Sequence, residues 1–268
     1  MKLKSLLLTG ILALSVVFTA CAKTNDNTSK DTAPANLLEK IQKEGVIRVG
    51  QEGTYAPFTF HDESGKLTGF DVDIAEAIAQ KLGVKAEFIE TKWDGIFAGL
   101  DAERFDIIVN QVGINDERKA KYDFSDHYIL SKPVLIVTGD NNTITKFEDL
   151  KGKKAAQTLT SNLGKIAQSY GAELVQVDGF NQAIDLLTSN RADATVNDSL
   201  SFLDYKKQKP DTSLKVAAEY SKGDENGIML RQGNKELLDA INKALTDIKA
   251  DGTYLKISEK WFGEDVSK

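Results

Sequence analysis

Residues Phe105 to Tyr128 read FDIIVNQVGINDERKAKYDFSDHY, and the fold turns on this stretch. Ile107, Ile108 and Val109 make the short apolar run expected of a buried strand. The run stops at two carboxamides, Asn110 and Gln111. Gly113, an Asn-Asp turn and Arg118 follow. A strand thus delivers backbone groups and one guanidinium to its C-terminal end, where ligands bind in open α/β sheets. The planar fork of Arg118 suits a carboxylate. Its plainer reading is a surface arginine paired with Asp116 or Glu117.

Upstream, residues 36–44 predict a short helix closed by Gly45, and residues 46–50 a strand. The strand opens into a loop, 51–58, with Tyr55 near its tip. A hairpin over 59–70 turns at 63–66. Residues 71–82 predict a helix with Asp71 as N-cap and Ile74, Ile78 and Leu82 on its buried face. Residues 85–90 predict a strand, and Trp93 starts a helix.

Downstream, residues 133–138 predict a strand leaving this unit, and a new unit starts near residue 150. Its strands are expected at 154–158, 173–177 and 192–196, with helices starting at Ser161 and Phe180. Asn197, Asp198 and Ser199 cap a further helix. A last strand at 227–231 precedes an amphipathic helix over 234–250 and a final helical stripe through Tyr254, Ile257 and Trp261. Alternating strands and helices predict parallel α/β architecture. The restart near residue 150 predicts two lobes, residues 36–132 with 226–268, and residues 133–225. The strands that cross between them form a two-strand hinge beside a ligand cleft.

Composition narrows the function. The 268 residues suffice for one large domain or two modest ones. A net charge of −6, without a Lys/Arg cluster, argues against nucleic acid as partner. One cysteine and two histidines exclude an intrachain disulfide and leave too few ligands for a Cys/His metal site. Neither a metal nor a cofactor is expected, and the chain reads as a monomer.

Residues 1–20 have a basic start, an apolar middle and small residues at the end, the pattern of a secretory signal peptide. Phe18-Thr19-Ala20-Cys21 resembles a bacterial lipobox, with Phe18 where Leu is usual. The resemblance implies a lipid anchor on Cys21 and display of the mature chain outside the cytoplasmic membrane, towards the periplasm or cell exterior. Residues 21–35 then form a polar, flexible tether.

Four loop clusters fall at predicted strand ends: 51–58, 110–118, 158–162 and 197–199. Asp198 could accept from an ammonium, or simply cap its helix. Ser161 and Asn162 start a helix whose N–H groups could meet an anion, or again only cap it. Tyr55 and Trp93 could be walls of a site or core residues.

Seven segments occur in order: Gly53-Thr54-Tyr55-Ala56-Pro57-Phe58, Gly69-Phe70-Asp71-Val72-Asp73, Trp93-Asp94-Gly95, Asp116-Glu117-Arg118, Tyr122-Asp123-Phe124-Ser125, Asp149-Leu150-Lys151-Gly152-Lys153 and Asp251-Gly252-Thr253-Tyr254. Together they resemble the periplasmic-type binding proteins for polar amino acids that serve ABC importers. The resemblance implies that Arg118, the Gly113 N–H and the helix start at Ser161 hold the substrate α-carboxylate. It implies that Asp198 holds the α-ammonium, and that Tyr55 and Trp93 are aromatic walls. Asn110 and Gln111 stand where binders of basic amino acids often carry small hydroxyl residues. Asn110-Gln111-Val112 and Ser258-Glu259-Lys260-Trp261-Phe262-Gly263 are similar to the cystine-binding subgroup. L-cystine as ligand and an ABC permease as partner follow from that. Carboxamides fit another neutral polar amino acid such as glutamine equally well. An enzyme of the cyclohexadienyl dehydratase type on the same fold is the alternative, with Glu52 as its general acid.

Overall fold

The computed structural model describes residues 34–268, so the expected signal peptide, Cys21 and most of the expected tether lie outside the described residues. The described strands are β1 (Val46–Gln51), β2 (Thr54–Tyr55), β3 (Thr59–His61), β4 (Leu67–Thr68), β5 (Lys85–Glu90), β6 (Ile107–Ile108), β7 (Tyr122–Ser131), β8 (Pro133–Thr138), β9 (Lys154–Gln157), β10 (Glu173–Gln176), β11 (Thr195–Asp198), β12 (Leu214–Glu219) and β13 (Asp224–Arg231). The first sheet has the order β5-β1-β6-β13-β7, and a second group has the order β11-β8-β12 beside the pair β10-β9. A bridge between Ala155 and Ala194 joins that pair to the β11 side. The chain has the two-lobed α/β architecture expected of it.

The strands are not all parallel. β1 runs parallel to β5 and β6, and β9 to β10. β13 is antiparallel to both β6 and β7, and β8 is antiparallel to β11 and β12. The cause is the double crossing. A chain that leaves one sheet along β7 and comes back along the neighbouring β13 must run the opposite way. β7 itself was hidden by its polar residues, which leave it half-buried over much of its length. β12 (LKVAAE) is too mixed in composition to signal a strand.

Side-chain alternation divides the core. Ile107 packs with Ile47, Val49 and Leu230 under the helices Phe70–Lys81 and Lys235–Ala250, while Ile108 packs with Phe105, Met229 and Leu100 on the opposite face. β8 behaves likewise in the second sheet: Val134 and Ile136 join one cluster, Leu135 and Val137 the other. A strand buried on both faces reads as a continuous apolar run, which is why β8 is plain in the sequence.

Three expectations shift locally. The central strand stops at Ile108, one residue before Val109. The strand expected at 192–196 is β11, Thr195–Asp198, so Asn197 and Asp198 end a strand before Asp198 caps the helix Ser199–Gln208. Asp71 is not an N-cap. The helix Phe70–Lys81 is preceded by Gly69, and the Asp71 carboxylate is wholly buried against Gln111 and Tyr128.

The two crossings lie side by side. Only Lys132 separates β7 from β8, and only residues 220–223 separate β12 from β13. Ser131 pairs with Asp224, and Val134 with Glu219.

Phe105, at the start of the central stretch, is wedged between two glycines. A Cβ on Gly50 would stand 2.5 Å from its ring, and one on Gly99 2.7 Å. Gly50→Ala is therefore expected to destabilise the protein by about 1–3 kcal/mol through overpacking, read as a lower midpoint in urea denaturation.

Candidate functional site

The end of β6 is built by two carboxamides that do different work. Asn110 bridges to the end of β1: its Oδ1 accepts from the Glu52 N–H at 2.8 Å and its Nδ2 donates to Glu52 Oε2 at 2.7 Å. Gln111 turns the chain with φ +51°, a left-handed conformation uncommon for a side-chain-bearing residue. That turn lets its backbone N–H reach Asp71 Oδ2 at 2.9 Å while its Nε2 reaches Oδ1 at 3.0 Å. Tyr128 donates its hydroxyl to the same Oδ1 at 3.0 Å.

Beyond this turn lies a cavity of about 60 Å³ lined by both lobes. The first lobe supplies Glu52, Tyr55, Trp93, Asn110 and Gln111, and the second supplies Thr158, Ser161, Asn162, Leu163, Gly179, Phe180 and Asn197. Six of the nine residues expected to bind substrate therefore meet here: Tyr55, Trp93, Asn110, Gln111, Ser161 and Asn162. The Tyr55 hydroxyl donates to Asn197 Oδ1 across the cleft at 2.8 Å.

The other three stand at its margin. Arg118 is buried in the short helix Asp116–Lys119, whose N-cap is Asn115. Its Nη1 donates to the Gly113 carbonyl at 2.8 Å, and its guanidinium lies 5.5 Å from the Trp93 ring centroid and 5.2 Å from that of Phe97. It does not pair with Asp116 or Glu117: the Glu117 carboxylate instead meets Lys165. Burial pulls the guanidinium down to about 10, against the opposing pull of Asp224 and Glu117. Gly113 faces the second lobe, since a Cβ there would meet Asn162 Nδ2 at 3.2 Å and Arg118 Nη1 at 3.5 Å. Asp198 is buried and caps its helix by accepting from the Leu200 N–H at 2.8 Å. It does not line the cavity; its neighbour Asn197 does, and accepts the Asp198 N–H at 2.8 Å.

Ser161 also caps. Its Oγ accepts from Gly164 N–H at 3.0 Å and donates to the Thr158 carbonyl at 3.2 Å, so the hydroxyl is spent on the loop and helix it belongs to. Asn162, the first residue of that helix, donates to Oδ2 of Asp224, the first residue of β13, at 2.6 Å. Further bonds hold the lobes together at the rim. Asp94 accepts from the N–H and hydroxyl of Thr160, at 3.1 and 2.8 Å, and Lys92 meets Asp178 at 2.7 Å.

In the sequence Asn197 reads as a capping residue and Glu52 only as the acid of the enzyme alternative. Both line the cavity. Glu52 follows a strand end directly, which is the signal that could have flagged it. Burial pushes its carboxyl up to about 7, with the Asn110 bond opposing. Burial likewise lifts Asp71 to about 7 against its bonds from Gln111 and Tyr128. Asp198 rises to about 6 for the same reason, opposed by its bonds with Ser131 and Leu200.

The model of the bacterial extracellular solute-binding proteins, family 3, matches residues 47–264. The chain is 46% identical over 269 residues to the L-cystine-binding protein TcyA of Bacillus subtilis (strain 168), covering 99% of this chain and 100% of that protein. Among solved structures it is similar to an ancestral arginine-binding protein bound to arginine, at 45% identity and TM-score 0.77, covering 81% of this chain and 98% of that one. It also matches the L-cystine solute receptor of Neisseria gonorrhoeae in the unliganded open conformation, at 47% identity, covering 87% and 99%, with TM-score 0.58.

Unfolded carboxylates titrate near about 4, and Glu52, Asp71 and Asp198 near 7, 7 and 6 in the fold. Between those values the folded state holds more protons, so these groups make stability fall as pH rises. The ligand-free protein is expected to melt at a higher temperature near pH 5 than near pH 7.5 in a calorimetric scan. Asp71→Asn, which still can bond Tyr128, should flatten that dependence. Gly113→Ala, whose Cβ would crowd both Asn162 and Arg118, is expected to weaken ligand binding by about 1 kcal/mol or more. Because Gly113 is not among the positive-φ glycines, the melting temperature should barely move.

Proposed function

Because the chain belongs to family 3 of the bacterial extracellular solute-binding proteins, we propose that its cleft captures a polar amino acid, L-cystine, for an ABC importer. The observation that carries this reading is the meeting of residues from both lobes on one cavity, with a buried guanidinium against the indole that lines it. The name of the Bacillus subtilis relative supports cystine as the ligand.

The lobes, residues 36–132 with 226–268 and residues 133–225, move about Lys132 and residues 220–223. Substrate enters when they part. Arg118, the N–H of Gly113 and the helix start at Ser161 hold the α-carboxylate. Asp198 holds the α-ammonium, and Tyr55 and Trp93 enclose the side chain with Asn110, Gln111 and Asn162. Closing the lobes removes water, which strengthens each charge pair and penalises any charge left alone. Closure then presents both lobes to the membrane permease. The chain is exported by its signal peptide and anchored through lipid on Cys21.

Glu52 is the acid that a dehydratase on this fold would use, and it is poised near neutrality. Asn110 grips it from two sides, by its own N–H and by its carboxylate. Incubation with prephenate or arogenate is expected to give no product.

Arg118→Ala and Asp198→Ala are each expected to cost ~2–5 kcal/mol of binding, because each orphans a buried charge of the ligand. Isothermal titration calorimetry with L-cystine checks this; a loss below ~1 kcal/mol for both substitutions would sink the site assignment. Affinity should also rise from pH 5 to pH 7, as Asp198 ionises. That trend is opposite to the trend in stability. In a thermal-shift screen of the common amino acids with cystine and ornithine, cystine should give the largest rise in melting temperature.

A further inference from the structure

Two buried polar side-chain atoms lack a hydrogen-bond partner among the described residues: Trp93 Nε1 and Gln111 Oε1. Buried polar groups are nearly always paired, and these two belong to residues that line the same cavity. Trp93 is 6% exposed and Gln111 8% exposed. One atom can only donate and the other can only accept.

Neither orientation is free. The Nε2 of Gln111 is spent on Asp71 Oδ1, and reversing the amide would set its oxygen against a carboxylate oxygen. The left-handed turn at Gln111 and its N–H bond to Asp71 fix the backbone that carries the amide. The indole is held by Phe97, edge-on at 5.3 Å between centroids, and by the Arg118 guanidinium. Two residues that line the cavity thus carry an unpaired acceptor and an unpaired donor, each held in place. Glu52 is the one ionisable carboxyl among the residues that line it.

We propose that Gln111 and Trp93 form a second polar subsite, which takes the far head group of a two-headed amino acid. Gln111 Oε1 accepts from the distal ammonium and Trp93 Nε1 donates to the distal carboxylate. A neutral carboxamide end could also satisfy one donor and one acceptor. The negative charge that Glu52 can carry favours the ammonium instead. This inference rests on the reading of the cleft as an amino-acid receptor and deepens it: Arg118 stacks on the same indole, so the near and far subsites share Trp93.

The test is calorimetry on the wild-type protein, Trp93→Phe and Gln111→Met with L-cystine, L-cystathionine, S-methyl-L-cysteine and L-glutamine. The wild type should prefer the two-headed ligands over the one-headed by at least about tenfold. Each substitution should weaken binding of the two-headed ligands by roughly 10- to 100-fold, the worth of a hydrogen bond to a charged group, and so collapse the preference. Trp93→Phe keeps the ring, so it decides the matter even if Gln111→Met folds poorly. A wild type that binds glutamine as tightly as cystathionine overturns the subsite. So do variants that lose affinity equally for both classes of ligand. Cystathionine preferred while cystine fails to bind overturns the cystine reading and leaves the subsite standing. No binding of any of the four overturns both.

Discussion

Asp71 has no exposed surface, and its carboxylate receives Gln111 through both backbone and side chain, with Tyr128 as a third donor. Burying a carboxyl is costly, and these bonds offset part of that cost. What they secure is geometric. They tie the first turn of the helix Phe70–Lys81 and the strand β7 to the turn that follows the central strand. The unusual turn at Gln111 persists because it is held from two directions. Asn110, one residue earlier, fastens the same strand end to β1 through Glu52. The floor of the cleft is thus a set of fixed dipoles, although it sits beside a hinge.

The hinge follows from topology. β7 and β13 form a ladder in the first lobe, β8 and β12 one in the second, and a single residue on one strand and four on the other connect them. Each ladder is stiffened by its own sheet. Bending therefore concentrates where no ladder exists. The bonds at the cleft mouth are mostly between exposed side chains, such as Lys92 with Asp178. Contacts of that kind are worth little each. They can close the lobes without locking them, which a protein that must release its ligand requires.

Much of this was legible in the sequence wherever one physical signal dominated. β8 is apolar throughout, and the helix Lys235–Ala250 keeps its stripe, so both were found. Tyr55 and Trp93 could be read alone as core residues and Asn110 and Gln111 as strand breakers; the family resemblance grouped them, and all four line one cavity. What failed was non-local. Asp71 looks like a helix cap because a carboxylate at a helix start usually is one; nothing nearby in sequence announces Gln111 and Tyr128, about forty and sixty residues on. β7 was missed because its charged residues match an edge strand's solvent face, and strand direction depends on where the chain returns. Arg118 shows the converse: its acidic neighbours suggested surface pairing, yet burial over Trp93 and Phe97 takes it away from them.

The charges around the cleft fit a zwitterion better than an ion of either sign. Arg118 is a cation buried beside aromatic faces, and Asp198 a carboxylate buried at a helix start. Each is penalised by desolvation: the guanidinium is pulled down and the carboxyl pushed up. A ligand with only a carboxylate would relieve the first and aggravate the second by like-charge repulsion. A ligand with only an ammonium would do the reverse. In the binding mode proposed above, an amino-acid head group relieves both at once when the lobes bring the two residues to opposite sides of it. Selectivity for the head group and coupling to closure would then have the same electrostatic origin.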